Sequence, residues 1–182
     1  MKKILIFGCI LIVTGYIISC KKANKLTQFD INYSNVATIP SATFSVTTPA
    51  DTLSVPVEFN TPQIPTDAAN KFNAQKTSTK LIDEIKLTKF NITVSTGNLD
   101  GIKSIAIYFK SAELGDLLIA QKTNIPTGST SISTDVQDVN IKEYIFKDNM
   151  QFKIVMRMKA VSRPEQLLTL EQTLRVKASL IK

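Results

Sequence analysis

The chain has no histidine and no tryptophan, and only two cysteines. Without imidazole there is no general base titrating near neutrality, no Ser-His-Asp triad and none of the usual histidine-bearing zinc or copper sites. Without tryptophan, and with most phenylalanines at inward strand positions, few rings are left for pyranose faces to stack on. A glycan-capturing surface would have to use Tyr33, Tyr108 or Tyr144. Long apolar runs are also missing. The one candidate, Ile4 to Ile18, is about fifteen residues, short of the ~20 that span a hydrocarbon core as a helix, and no similar segment follows it.

Lys2 and Lys3 precede that run, which is the layout of an export signal. The run ends in Ile17-Ile18-Ser19-Cys20. These four residues resemble the lipobox of bacterial lipoprotein precursors, in which a branched apolar residue, a tolerant position and a small residue precede an invariant cysteine. All four positions match. The resemblance implies that residues 1–19 are removed by lipoprotein signal peptidase and that Cys20 receives a diacylglycerol thioether and becomes the acylated N-terminus. Each buried methylene of such chains contributes about 0.8 kcal/mol, enough in sum to hold a soluble body on a membrane. Cys9 would leave with the signal, so the mature chain could form no internal disulfide and would have no free thiol for a nucleophile or a cluster. Lys21 stands where an Asp commonly retains lipoproteins at the inner membrane. In a two-membrane bacterium the resemblance therefore implies the outer membrane, and the lack of an acidic run after the cysteine favours its periplasmic leaflet.

Residues 20–26 read as the lipidated cysteine and a polar, lysine-bearing tether. Residues 27–182 are long enough for one domain with a real core. They alternate repeatedly between apolar and polar residues, the mark of half-buried strands. Phe29, Ile31 and Tyr33 form one such set, Phe44 and Val46 another, and Leu53, Val55, Val57 and Phe59 a third. Pro56 interrupts the third where a ladder donor is wanted, which predicts a sheet edge. Thr66 is a candidate cap for one or two helical turns. Ile85 and Leu87 share one parity and Phe90, Ile92 and Val94 the other, which predicts a β-bulge, with a helix over Leu81 to Ile85 as the rival reading. Gly97 to Gly101 form a turn, and Ile105, Ile107 and Phe109, backed by Ala106 and Tyr108, predict a central strand. Leu117 to Ala120 and Ser131 to Val136 are shorter strand candidates.

At the C-terminal end, Phe152, Ile154, Met156 and Met158 answer Leu168, Leu170, Leu174 and Val176 across Ser162-Arg163-Pro164-Glu165, which predicts a long hairpin. Its outer face would carry a basic stripe of Lys153, Arg157, Lys159, Arg175 and Lys177. The stripe reads either as a solvated face that discourages edge-to-edge pairing or as a docking face for anionic lipid or a partner. The whole pattern predicts an all-β domain, an antiparallel β-sandwich that is immunoglobulin-like in the loose sense, behind a lipoprotein signal peptide.

The remaining chemistry is thin. Asp83 and Glu84 are neighbours and, on a strand, face opposite sides. Thr77-Ser78-Thr79-Lys80 echoes a Ser-x-x-Lys dyad but has Thr in the nucleophile position. Asp135, Asp138, Asn140 and Glu143 offer oxygen ligands without the glycine and spacing of an EF-hand loop. Asp51-Thr52-Leu53 resembles the acceptor of a general O-glycosylation system, which implies a glycan on Thr52. No cofactor, metal or nucleic acid is expected. The sequence points to a non-enzymatic, membrane-anchored interaction or structural module of the cell envelope with a protein partner. The alternatives are a binder of apolar ligands between two sheets, with Met156 and Met158 as lining, and a glycan-binding module.

Overall fold

The computed structural model describes residues 28–41, 54–159 and 165–179. The signal and lipobox, the tether, the Phe44 and Val46 strand candidate, Thr52 and the Ser162-Arg163-Pro164 turn lie outside the described residues. The strands, in chain order, are β1 (Gln28–Ile39), β2 (Ser54–Asn60), β3 (Ile64–Pro65), β4 (Ile82–Val94), β5 (Ile102–Phe109), β6 (Leu117–Thr123), β7 (Ser131–Ser133), β8 (Asp135–Val136), β9 (Asn149–Met150), β10 (Phe152–Lys159) and β11 (Gln166–Ala178). Two short helices interrupt them, α1 (Ala68–Ala74) and α2 (Lys142–Ile145).

Alternation does what the sequence expects. Along β1 the side chains of Ile31, Tyr33, Ala37 and Ile39 are buried while the residues between them face outward or sit at intermediate depth. β11 buries every second residue from Gln166 to Ala178. Two antiparallel sheets pack these faces against each other, in the orders β1-β11-β4-β7 and β2-β10-β5-β6-β8. Their shared interior includes Phe90 from the first sheet against Phe152 of the second, ring centroids 5.5 Å apart and edge to face, and Phe109 beside Phe152 at 5.1 Å.

Several local expectations hold. β2, with Pro56 in it, is an edge strand. β5 is central in its sheet. In β4, Lys89 pairs with Thr173 and Leu87 with Leu174, so Thr88 is the extra residue that reverses the parity of the buried set. A second extra residue, Asp83, lies between Ile82 and Glu84 in the pairing with Ala178 and Lys177. The segment after the 3-10 turn Thr79–Leu81 is strand, not helix.

Other expectations are corrected. β10 and β11 do not form a hairpin: β10 lies between β2 and β5, and β11 between β1 and β4, in opposite sheets. The two apolar sets face each other across the core instead of lying side by side. Alternation records which face of a strand is buried and not which neighbour it bonds, so both arrangements write the same pattern. Ser131 to Val136 is two strands, not one. β7 joins the four-stranded sheet and β8 the five-stranded sheet, with buried Thr134 between them donating through N and Oγ1 to Phe90 O at 3.0 and 2.9 Å. Thr66 caps nothing. Asp67 occupies the N-cap of α1, and Thr66 Oγ1 donates to Lys147 O at 2.6 Å.

The strand order also departs from the immunoglobulin arrangement, in which the last two strands share a sheet. Here pairing is nested: β1 with β11, β2 with β10, β4 with β7 and β5 with β6. That nesting, with β1, β4, β7 and β11 in one layer and β2, β5, β6 and β10 in the other, is the order of a jelly roll. Phe152→Ala, which removes the ring lying between Phe90 and Phe109, is expected to cost about 3–5 kcal/mol. Urea unfolding of the variant beside the parent measures it.

Candidate interaction surface

The five basic residues do not make one stripe. Lys153, Arg157 and Lys159 belong to β10 in the five-stranded sheet, and Arg175 and Lys177 to β11 in the four-stranded sheet. The structure places Lys153 and Arg157 on one outer face and Arg175 and Lys177 on the other, the two pointing in opposite directions. Lys153 Nζ lies 2.5 Å from Asp116 Oδ2 and 4.8 Å above the Tyr108 ring. The Asp116 carboxylate, first by its hydrogen bond, raises the Lys153 pKa, and that of Asp116 is lowered in turn. Arg175 is held by Asp30 through two hydrogen bonds of 3.0 and 3.1 Å, a fork pairing across β1 and β11. Arg157 stands opposite Pro56 and Ser104, and Lys177 opposite Gln28 and Glu84. With the five divided between two layers, and with Lys153 and Arg175 each held by a carboxylate, they do not make the single concentrated positive field that a docking stripe requires.

The other sequence candidates are scattered as well. Asp135 pairs with Lys122, Asp138 with Lys86, and Glu143 with Lys142, while Asn140 Oδ1 accepts from the N–H groups of Ile85 and Lys142. No group of three metal-ligating residues exists among the described residues. Glu84 shares Lys86, and Asp83 accepts a hydrogen bond from Ser179 Oγ. Lys80 sits in the 3-10 turn. Among the described residues, the tyrosines make no flat pair. Tyr33 is buried, Tyr108 lies under Lys153, and Tyr144 stacks on Phe109 with its hydroxyl donating to Gly115 O at 2.9 Å.

Between the sheets the packing is dense. Met156 and Met158 are fully buried core residues. The space among Tyr33, Leu87, Phe109, Ile119, Met150, Phe152, Gln172 and Leu174 has no room for even a water molecule. Gln172 reaches this region: its Oε1 accepts from Asn35 Nδ2 at 2.8 Å, and its Nε2 is buried without a partner.

The outer face of the four-stranded sheet carries a feature the sequence reading missed. Asn32 and Ser34 of β1, Glu171 and Thr173 of β11, and Lys89 and Asn91 of β4 line an open groove of about 400 Å³. Register brings them together, since Ser34 opposes Glu171, which opposes Asn91, and Asn32 opposes Thr173, which opposes Lys89. Beyond one end of the groove are the exposed apolar side chains of Val36 and Leu167, 52% and 46% accessible. They are diagonal neighbours, because Val36 opposes Thr169 and Thr38 opposes Leu167. The groove and the apolar pair form one surface, polar in the middle and apolar at its end, built on β1, β11 and β4. Its only trace in the sequence is a set of outward positions on three strands far apart in the chain.

No family model matches the chain, and no curated protein does. Among solved structures the chain matches one of desmodium yellow mottle tymovirus, with 15% identity over 85% of this chain and 84% of that one, at a TM-score of 0.31. A score that low carries no argument.

Beneath the groove, Tyr33 ties β1 to the segment before α1: its hydroxyl donates to Thr66 O at 2.6 Å and Lys71 Nζ lies 4.7 Å from the ring centre. Burial, and then the nearby Asp67 charge, push the Tyr33 phenol up to about 12. The unfolded chain ionises this group near 10, so folding favours the protonated form and stability falls as pH rises from about 10 towards 12. The loss is expected to reach about 2–3 kcal/mol from this group. Tyr33→Phe removes that component, which urea midpoints measured between pH 9 and 11.5 would show as a shallower decline than the parent's.

Proposed function

We propose that this chain is a lipid-anchored, non-enzymatic interaction module of a bacterial cell envelope, and that it meets a protein partner through the outer face of its four-stranded sheet. The observation that carries the reading is the surface formed by the groove and by Val36 and Leu167. Exposed apolar side chains beside polar groups able to hydrogen-bond are the kinds of group through which one protein meets another. The anchor is supported by the match of Ile17, Ile18, Ser19 and Cys20 to the lipobox behind a short apolar run. On this reading Cys20 carries the acyl chains, and Lys21 directs the protein to the outer membrane, facing the periplasm.

The dense core speaks against an acyl-chain carrier, and the tyrosine placements speak against a stacking platform for glycans. Neither alternative gains a specific observation in its favour.

Crosslinking in intact cells followed by affinity purification tests the proposal. The parent is expected to recover a specific envelope protein, and Cys20→Ala to leave the membrane fraction and lose that protein. Leu167→Asp is expected to stay anchored and folded, with an unchanged circular dichroism spectrum, yet lose the partner. Equal recovery from the parent and Leu167→Asp would remove this face from the proposal, and acyl-free Cys20 in the mass spectrum would remove the anchor.

A further inference from the structure

A sheet edge exposes a row of unpaired backbone N–H and C=O groups, a template for another strand unless something blunts it. The two main sheets have four such edges. In the five-stranded sheet, β2 is blunted by Pro56, and β8 is two residues long. In the four-stranded sheet, β7 is three residues long. β1 is different: it runs for twelve residues, contains no proline and pairs with β11 in unbroken register from Gln28 to Ile39. Among the described residues, no backbone group pairs with its outer edge.

The side chains of β1 restrict what can pair there. It has one charged residue, Asp30, already neutralised by Arg175. An edge with no free charge has nothing to steer a charged foreign strand, and it sets no like charges against each other when it meets another neutral strand. The most compatible neutral strand on the page is β1 itself. We propose that β1 pairs antiparallel with the β1 of a second copy of the chain about a two-fold axis through Ser34, doubling the four-stranded sheet.

Register follows from the burial pattern. Outward residues of β1 have even numbers, so outward positions oppose outward positions only when the two numbers of each pair sum to an even value. With Ser34 on the axis, the inner side sets Phe29 against Ile39 and Ile31 against Ala37, both apolar pairs, and places Tyr33 against Asn35 next to the axis. On the outer side Asn32 opposes Val36 and Asp30 opposes Thr38, and no carboxylate faces another. Centring on Tyr33 would instead set Ile31 against Asn35 and Asp30 against Val36. A two-fold contact of this kind is closed and stops at two copies. The pairing rests on the edge and not on the anchored-module reading above.

Cysteine crosslinking of the full chain in unfractionated cell lysate tests it. Ser34 is exposed and on the proposed axis, so Ser34→Cys should give a disulfide-linked species of twice the monomer mass under mild oxidation. The parent, and Ser131→Cys on the guarded β7 edge, should give none. In the proposed register Asn32→Cys with Val36→Cys also forms the doubled species. Adding Ser34→Lys, which sets two ammonium groups against each other, should abolish it. A Ser34→Cys chain that stays monomeric overturns the proposal. So do equal crosslinking of Ser34→Cys and Ser131→Cys, an adduct of any other mass, and persistence of the doubled species in the Ser34→Lys background.

Discussion

The four-stranded sheet depends on β11. That strand carries β1 on one side and β4 on the other, and every register in the sheet except that of β7 is a register against it. Without β11, the buried faces of β1 and β4 have no lateral support and the groove residues of three strands have no reason to meet. The aromatic contact of Phe90 with Phe152 then seats this sheet on the other one. A second aromatic chain, Phe29 to Phe72 to Phe146, fastens α1 beneath the start of β1 at 6.4 and 6.1 Å. Such ring pairs add about 0.5–1.5 kcal/mol each beyond the area they bury.

What the sequence made legible was local. Pro56 announces an edge because the missing donor is a property of one residue. The Thr88 bulge is visible because an extra residue reverses parity, and parity can be counted along one strand. The inward positions of β1, β5, β10 and β11 were readable for the same reason. Partnership was not. Met158 stands against Ile102 and Val55, and Leu170 against Asn35 and Ile92, and nothing in either strand's own alternation encodes those choices. The crossing at Thr134 was hidden because a chain that changes sheets at a buried residue keeps its period.

The candidate surface was lost to the same limit. Lys153, Arg157, Lys159, Arg175 and Lys177 align as one stripe only if their strands are neighbours, and once β10 and β11 separate into two layers the stripe divides. Asp116 and Asp30, which balance Lys153 and Arg175, come from distant parts of the chain. The groove that does form needs Asn32, Lys89 and Thr173 on one face, a coincidence created by long-range pairing alone.

Nested pairing also imposes an order in time. β1 is made early, and its partner β11 follows more than a hundred residues later. At ordinary synthesis rates the interval is on the order of ten seconds, far longer than a strand needs to collapse onto whatever apolar surface is near. During that interval Ile31, Tyr33, Ala37 and Ile39 have no native surface to cover them. A chain built this way needs a holding partner, or an unfolded transit, until its last strand emerges.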